Sequence, residues 1–204
     1  MALASYNDLV ASVQSWMLDR SDLAPMCGDF IALAEGDLNQ QLRTRQQLTT
    51  VALTLDSNSQ ANLPEDYLAF RQVTAMTNPR RPLSVVAPSY ADAELPYRLA
   101  GDPAYFTIDG ETLTVMPTTA SNIEFSYWAK IPALSVDNQT NWLLKKFPNI
   151  YLYGACMHAG VFIADSERTV GMATMFRSQL DALLAAEEMA MYSRAAARAS
   201  GPTP

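Results

Sequence analysis

Apolar residues repeat with one period near the two ends of this chain and with another in its middle. Leu9, Val13, Trp16 and Met17 fall at i, i+4, i+7 and i+8, which lays one apolar face on a helix over residues 6–18. Ser5 stands where an N-cap is wanted, with Asp8 at the third helical position. A polar break over 19–24 precedes a second helix, opened by Pro25 and running to about Arg43. Its stripe is Phe30, Ile31, Leu33, Ala34, Leu38 and Leu42, and Gly28 and Gly36 weaken it. From Gln46 the period falls to two. Val51, Leu53 and Leu55 alternate with Thr50, Ala52 and Thr54 as a half-buried strand. Residues 67–76 and 83–87 continue as strands, and 88–103 reads as loop. The sharpest local signal is a hairpin, residues 105–108 and 111–115 about Asp109-Gly110, whose composition suits a two-residue type I′ turn. A last strand alternates Ile123, Phe125 and Tyr127 with Glu124, Ser126 and Trp128.

The helical period then returns. Thr140 is placed to cap a short helix over 141–147, and Pro148 ends it and starts the next. Residues 150–164 are apolar nearly all round, with Leu152, Cys156, Ala159 and Ile163 on one face and Tyr151, Ala155 and Phe162 over much of the rest. Asp165-Ser166 breaks this helix and caps the longest one, 167–194, whose stripe is Met172, Phe176, Leu180, Leu183 and Leu184. Past Tyr192 the residues are small and polar, and they predict a tail that is helical at first and then disordered. The pattern predicts an α+β fold: a helical bundle built from the N- and C-terminal segments around a central antiparallel β insert, a small sheet or barrel. The predicted parts are helices over 1–45, the insert over 46–130, helices over 131–194 and a flexible tail over 195–204.

Composition narrows the function mainly by exclusion. The 204 residues are 49% hydrophobic and 17% charged, enough to bury a substantial core. No apolar run approaches the ~18 residues of a membrane span. The first ten residues lack the basic and apolar regions of a secretory signal, so the protein is expected to be soluble where it is made. The net charge of −7 opposes gripping a nucleic-acid backbone, though it suits a surface that DNA slides past. Cys27 and Cys156 read as free thiols. His158, the single histidine, lacks ligands at metal spacing. There is no GxSxG, GxxxxGK[ST] or HExxH motif. The carboxylates Glu65-Asp66, Asp92 with Glu94, and Glu187-Glu188 read as solvated. Tyr105, Phe106, Tyr127 and Trp128 read as core more readily than as a stacking platform. No enzyme, metal or cofactor is expected. The apolar surface of the last two helices exceeds what a small domain needs, which points to assembly.

One stretch is more specific. Residues 131–155, IPALSVDNQTNWLLKKFPNIYLYGA, carry Ile131, Pro132, Leu134, Ser135, Asn138, Thr140, Asn141, Trp142, Leu143, Leu144, Pro148, Tyr151, Leu152, Tyr153 and Gly154. This strongly resembles the signature of tailed-bacteriophage head–tail adaptor proteins, also called head completion, gateway or connector proteins. The resemblance extends to Phe30–Glu35, the Leu-Pro-Glu-Asp-Tyr run at 63–67, Arg81-Pro82-Leu83, the 103–117 segment and Asp165–Arg168. Asn149, Trp128 and Ser166 depart from the pattern, and the tail past Tyr192 is not covered by it. The resemblance implies a structural virion protein, made in the host cytoplasm, that forms a dodecameric ring beneath the portal, with a monomer as the alternative state when free, extends the DNA channel without sequence-specific binding, and links capsid to tail or to stopper and nozzle proteins. It implies a scaffold role for Ile131, Pro132, Asn138, Thr140, Asn141, Trp142, Leu143, Leu144, Pro148, Tyr151 and Tyr153. Met172, Phe176, Leu180, Leu184, Met189, Tyr192, Arg194 and Arg198 are the candidate subunit and portal contacts. The tail from Ser193 is expected to order against the portal. The alternatives are a tail-side stopper or tail-completion ring protein, and a carbohydrate- or receptor-binding module using the β insert.

Overall fold

The computed structural model describes residues 3–20, 22–94, 100–119 and 122–192. The fold is α+β, and the chain divides into two units: residues 1–46 with 131–204, which are helical, and residues 47–130, which are β-rich.

In the helical unit, α1 spans Tyr6–Trp16 and α2 spans Cys27–Gln41. Ser5 and Asp8 form a reciprocal capping box at the start of α1. Pro25 sits in a single 3₁₀ turn, Ala24–Met26, so α2 begins two residues later than Pro25 suggested. Further along are α4 at Trp142–Lys146, α5 at Pro148–Phe162 and α6 at Ser166–Tyr192, with α3 lying in the other unit. Pro148 occupies the first turn of α5, where no amide donor is needed. The Asp165 carboxylate accepts from the Arg168 amide at 3.0 Å and caps α6. The cap of α4 is Asn141, not Thr140. Its extended backbone and its side-chain bond to the Leu144 amide satisfy a donor that Thr140 lies one residue too early to reach.

The centre of this unit is α5, which packs against α1, α2, α4 and α6. Its small residues permit that crowding. A Cβ at Gly154 would lie 3.0 Å from the Ala34 Cβ and 3.1 Å from the Phe176 ring, so α2 and α6 both close on the bare backbone there. Leu9, Val13, Ile31, Leu38, Leu144, Tyr151 and Phe176 belong to the single core around it.

The β unit has two four-stranded sheets, ordered β1-β8-β3-β4 and β2-β7-β6-β5. The strands are β1 Leu48–Leu53, β2 Gln60–Asn62, β3 Tyr67–Ala75, β4 Arg81–Pro82, β5 Ser84–Val85, β6 Tyr105–Asp109, β7 Thr112–Met116 and β8 Ile123–Ala129. Val73, Phe125 and Tyr127 from one sheet and Phe106, Leu113 and Val115 from the other share one core. Phe70 meets Phe106 edge to face at 5.3 Å. Three details depart from the sequence expectation. The pair β5·β6 is parallel. Residues Pro88–Glu94 form the short helix α3, started by a proline at its first position and anchored by buried Ala91. The hairpin pairs Asp109 with Thr112, so Gly110 and Glu111 are the central turn residues. Gly110 has φ +58° and Glu111 is outside that region, the requirement of a type II′ turn with glycine first.

The packing at Gly154 gives a stability prediction. Gly154→Val is expected to lower the unfolding free energy by about 1–3 kcal/mol through overpacking. Gly36→Ala, where a Cβ meets nothing within 4 Å on an exposed helix face, is expected to raise it by about 0.5–1 kcal/mol. Urea unfolding of both variants checks the pair.

Candidate assembly surfaces

The loop from Ile131 to Asn141 is the most bonded irregular segment of the helical unit. The Ile131 amide donates to Asn39 Oδ1 at 2.9 Å, and the Leu134 amide donates to Glu35 Oε1 at 2.9 Å. Both acceptors stand on α2. The Tyr151 hydroxyl, from α5, donates to the same Glu35 oxygen at 3.1 Å. Asn141 Nδ2 donates to that hydroxyl at 2.7 Å and to the Pro132 carbonyl at 2.8 Å, while its Oδ1 caps α4. Glu35, Asn141 and Tyr151 are all buried, so these bonds are made without competition from water. Burial pushes the Glu35 carboxyl above its usual range, against the opposing pull of the bonds from Leu134 and Tyr151. Burial pushes the Tyr151 hydroxyl up as well, with the Glu35 charge adding to the effect.

The rest of the stretch is equally structural. Asn138 closes the exposed tip by donating to the Ala133 carbonyl at 2.6 Å, and the Gln139 carbonyl accepts from the Tyr6 amide at 2.7 Å. Leu143 and Leu144 are fully buried. Trp142 and Tyr153 are half-buried against the core, and Tyr153 also meets Trp16 edge-on at 5.8 Å. Thr140 is half-buried, while Pro132 stays exposed.

The other candidate groups have local tasks. Asp66 accepts from the Tyr127 hydroxyl at 2.8 Å, and burial followed by this bond pushes that phenol up to about 12. Glu187 pairs with Arg45 at 3.1 Å, which lowers its carboxyl below the usual range. The side chains of Asp92 and Glu94 lie outside the described residues. His158 meets Asp37 at 2.9 Å. Among the described residues no three of His, Cys, Asp and Glu are grouped to hold a metal ion, and no helix is long and apolar enough to cross a membrane. Phe106 and Tyr127 are buried, which breaks up the aromatic platform that a sugar-binding reading requires. Only Tyr105 and, partly, Trp128 face outwards.

A family model described as SU10 adaptor protein matches residues 4–201, nearly the whole chain. The chain belongs to the SU10 adaptor protein family. This is a family of phage head–tail adaptors, structural proteins and not enzymes, so the protein is a virion component whose partners are portal and tail proteins. A comparison with curated proteins gave no match.

An adaptor works through its surfaces, and the structure redistributes the residues first expected on them. Phe176 and Leu180 are buried in the chain's own bundle, and Met172 and Leu184 are half-buried against it. Side chains covered within one subunit are not available to another. Met189 is 73% exposed and remains available. The Tyr192 side chain, Arg194 and Arg198 lie outside the described residues. Other apolar residues are exposed: Leu33, which periodicity placed on the α2 stripe, Phe162, read as covering part of α5, and Val161 and Met175, which it did not single out. Leu33 lies about 200° around the helix from Ile31 and so falls off the face that Phe30, Ile31, Ala34 and Leu38 bury.

Two measurements test the buried network. Asn141→Ala is expected to cost about 2–3 kcal/mol, because the Leu144 amide and the Tyr151 hydroxyl lose partners inside the core. Glu35 has a raised folded-state pKa, so its contribution is most favourable below its ordinary value and declines as pH rises through the folded value. Glu35→Gln keeps an acceptor oxygen and removes the charge. Melting curves from pH 4 to pH 8 are expected to show the variant gaining on the parent as pH rises.

Proposed function

We propose that this adaptor forms a closed ring on the tail side of the portal, extends the DNA channel there and carries the tail or a stopper protein. One observation supports this above the others: the helical unit exposes apolar residues on separate elements. Val161 and Phe162 end α5, with Leu33 on α2, while Met175 and Met189 lie on α6. A closed ring is built from a heterologous contact, which needs two different patches on each subunit. The net charge of −7 favours a channel wall that DNA passes without sticking. Residues 193–204, with Arg194 and Arg198, are proposed to bind the portal.

Electron microscopy of the protein mixed with the portal complex of its own phage tests the reading. Added density on the tail side of the portal is expected, and a portal with no added density would sink it. Density on the tail tube in place of the portal would assign the chain to the stopper class. Deleting residues 193–204 is expected to abolish portal attachment while leaving the melting temperature unchanged.

A further inference from the structure

The C-terminal half of α1 and the start of α5 enclose a cavity of about 360 Å³ lined by Leu3, Ser12, Ser15, Trp16, Asn149 and Leu152. Ser12 and Leu152 are its enclosed part, at 7% and 4% exposed, while Ser15, Trp16 and Asn149 are exposed at the rim. The side chains of Ser12, Ser15 and Asn149 make no hydrogen bond among the described residues. For Ser12 that is unusual. Buried polar side chains are nearly always bonded, and a serine inside a helix has the carbonyl four residues back within reach. Its hydroxyl instead lines the cavity without a protein partner. Ser12 and Ser15 stand three apart and so share one face of α1.

The other wall is a helix N-terminus. α5 is 15 residues long and has no side-chain cap. Phe147 precedes it, Pro148 opens it, and its first turn holds no acidic residue. The free N–H groups of such a turn carry roughly +0.5 of an elementary charge. Asn149, in that turn, lines the cavity. Ser12 supplies what a bare helix end lacks, a buried donor from a second element.

We propose that this cavity binds a carboxylate, the side chain of a glutamate on a neighbouring protein chain in the particle. The sign of the charge follows from the helix end and from the donors around it. No charged side chain lines the cavity among the described residues. One negative charge suits such a site. A phosphate carries nearly two and is ordinarily met by Arg or Lys. Leu3 and Leu152 give the methylenes of a glutamate an apolar wall. The source follows from the weakness of the site. Neutral donors at an open rim hold a free acid poorly, whereas an acid carried on a docked protein gains its effective concentration. The partners of an adaptor are proteins. The site does not depend on which surface meets the portal.

Nuclear magnetic resonance titration of the full-length protein with the α-methylamide of N-acetylglutamate, whose side-chain carboxylate is its only charge, tests the site. The Asn149 amide and Trp16 indole signals are expected to move, with a millimolar dissociation constant. The glutamine analogue is expected to bind about tenfold more weakly, the difference between a charged and a neutral acceptor. Ser12→Ala is expected to weaken binding of the acid about fivefold and to keep the parent's melting temperature. Asn149→Asp supplies a carboxylate from α5 itself, and is expected to abolish probe binding while raising the melting temperature. Ser15→Cys tests the source. Iodoacetamide is expected to label it in the free protein, where Cys27 and Cys156 are buried, and to leave it unlabelled in assembled particles. Unmoved signals, equal binding of the two analogues, tighter binding of inorganic phosphate, or parent affinity in Ser12→Ala overturns the carboxylate site. Submicromolar affinity for the free acid, or full labelling of Ser15→Cys in particles, overturns the protein source.

Discussion

A carboxyl group buried among apolar residues must be given hydrogen-bond donors or it destabilises whatever encloses it. Glu35 meets that condition through two donors that are remote in sequence, the Leu134 amide and the Tyr151 hydroxyl. Tyr151 is in turn oriented by Asn141, which at the same time holds the Pro132 carbonyl and caps α4. The loop is therefore defined by its obligations to one acidic side chain. If the loop shifts, α2 keeps an unsatisfied carboxylate and α4 loses its cap. Part of the dense run of aromatic, amide and proline residues at 131–155 follows from that demand, since Asn138, Asn141 and Tyr151 each have partners inside the fold.

Small residues make the arrangement possible. α5 holds the middle of the helical unit because Gly154 and its neighbours let other helices approach the backbone. Helices packed that closely use a narrow strip of each surface. α6 buries Phe176, Leu180 and Leu183 and half-buries Met172 and Leu184, and its opposite side faces outwards. For an adaptor this division is useful: stability rests on one strip, and the others are left to partners.

The architecture was legible because its signals are local. Ser5 and Asp8 mark the start of α1, Pro148 marks α5, and Ile123, Phe125 and Tyr127 mark the inner face of β8, each within a few residues. Errors arose where two adjacent residues offered the same chemistry. Thr140 and Asn141 are both capping residues, and only the position of the Leu144 amide decides between them. Asp109-Gly110 and Gly110-Glu111 both suit a turn, and cross-strand pairing decides there. The α6 stripe shows a deeper limit. Periodicity shows which residues share a face, but it does not say whether that face is covered by the same chain or by another. The Glu35–Tyr151 bond spans 116 positions, beyond the reach of any local pattern.

The strands that open and close the β unit are direct neighbours. Leu48 in β1 is paired with Trp128 in β8, so the chain enters and leaves this unit at adjacent points, about 5 Å apart. An insert with touching ends is a cassette. It can be lengthened, exchanged for an unrelated module or excised to a short turn without rerouting the helices on either side. A phage lineage can in that way replace the β unit of its adaptor while leaving the helical frame as it stands.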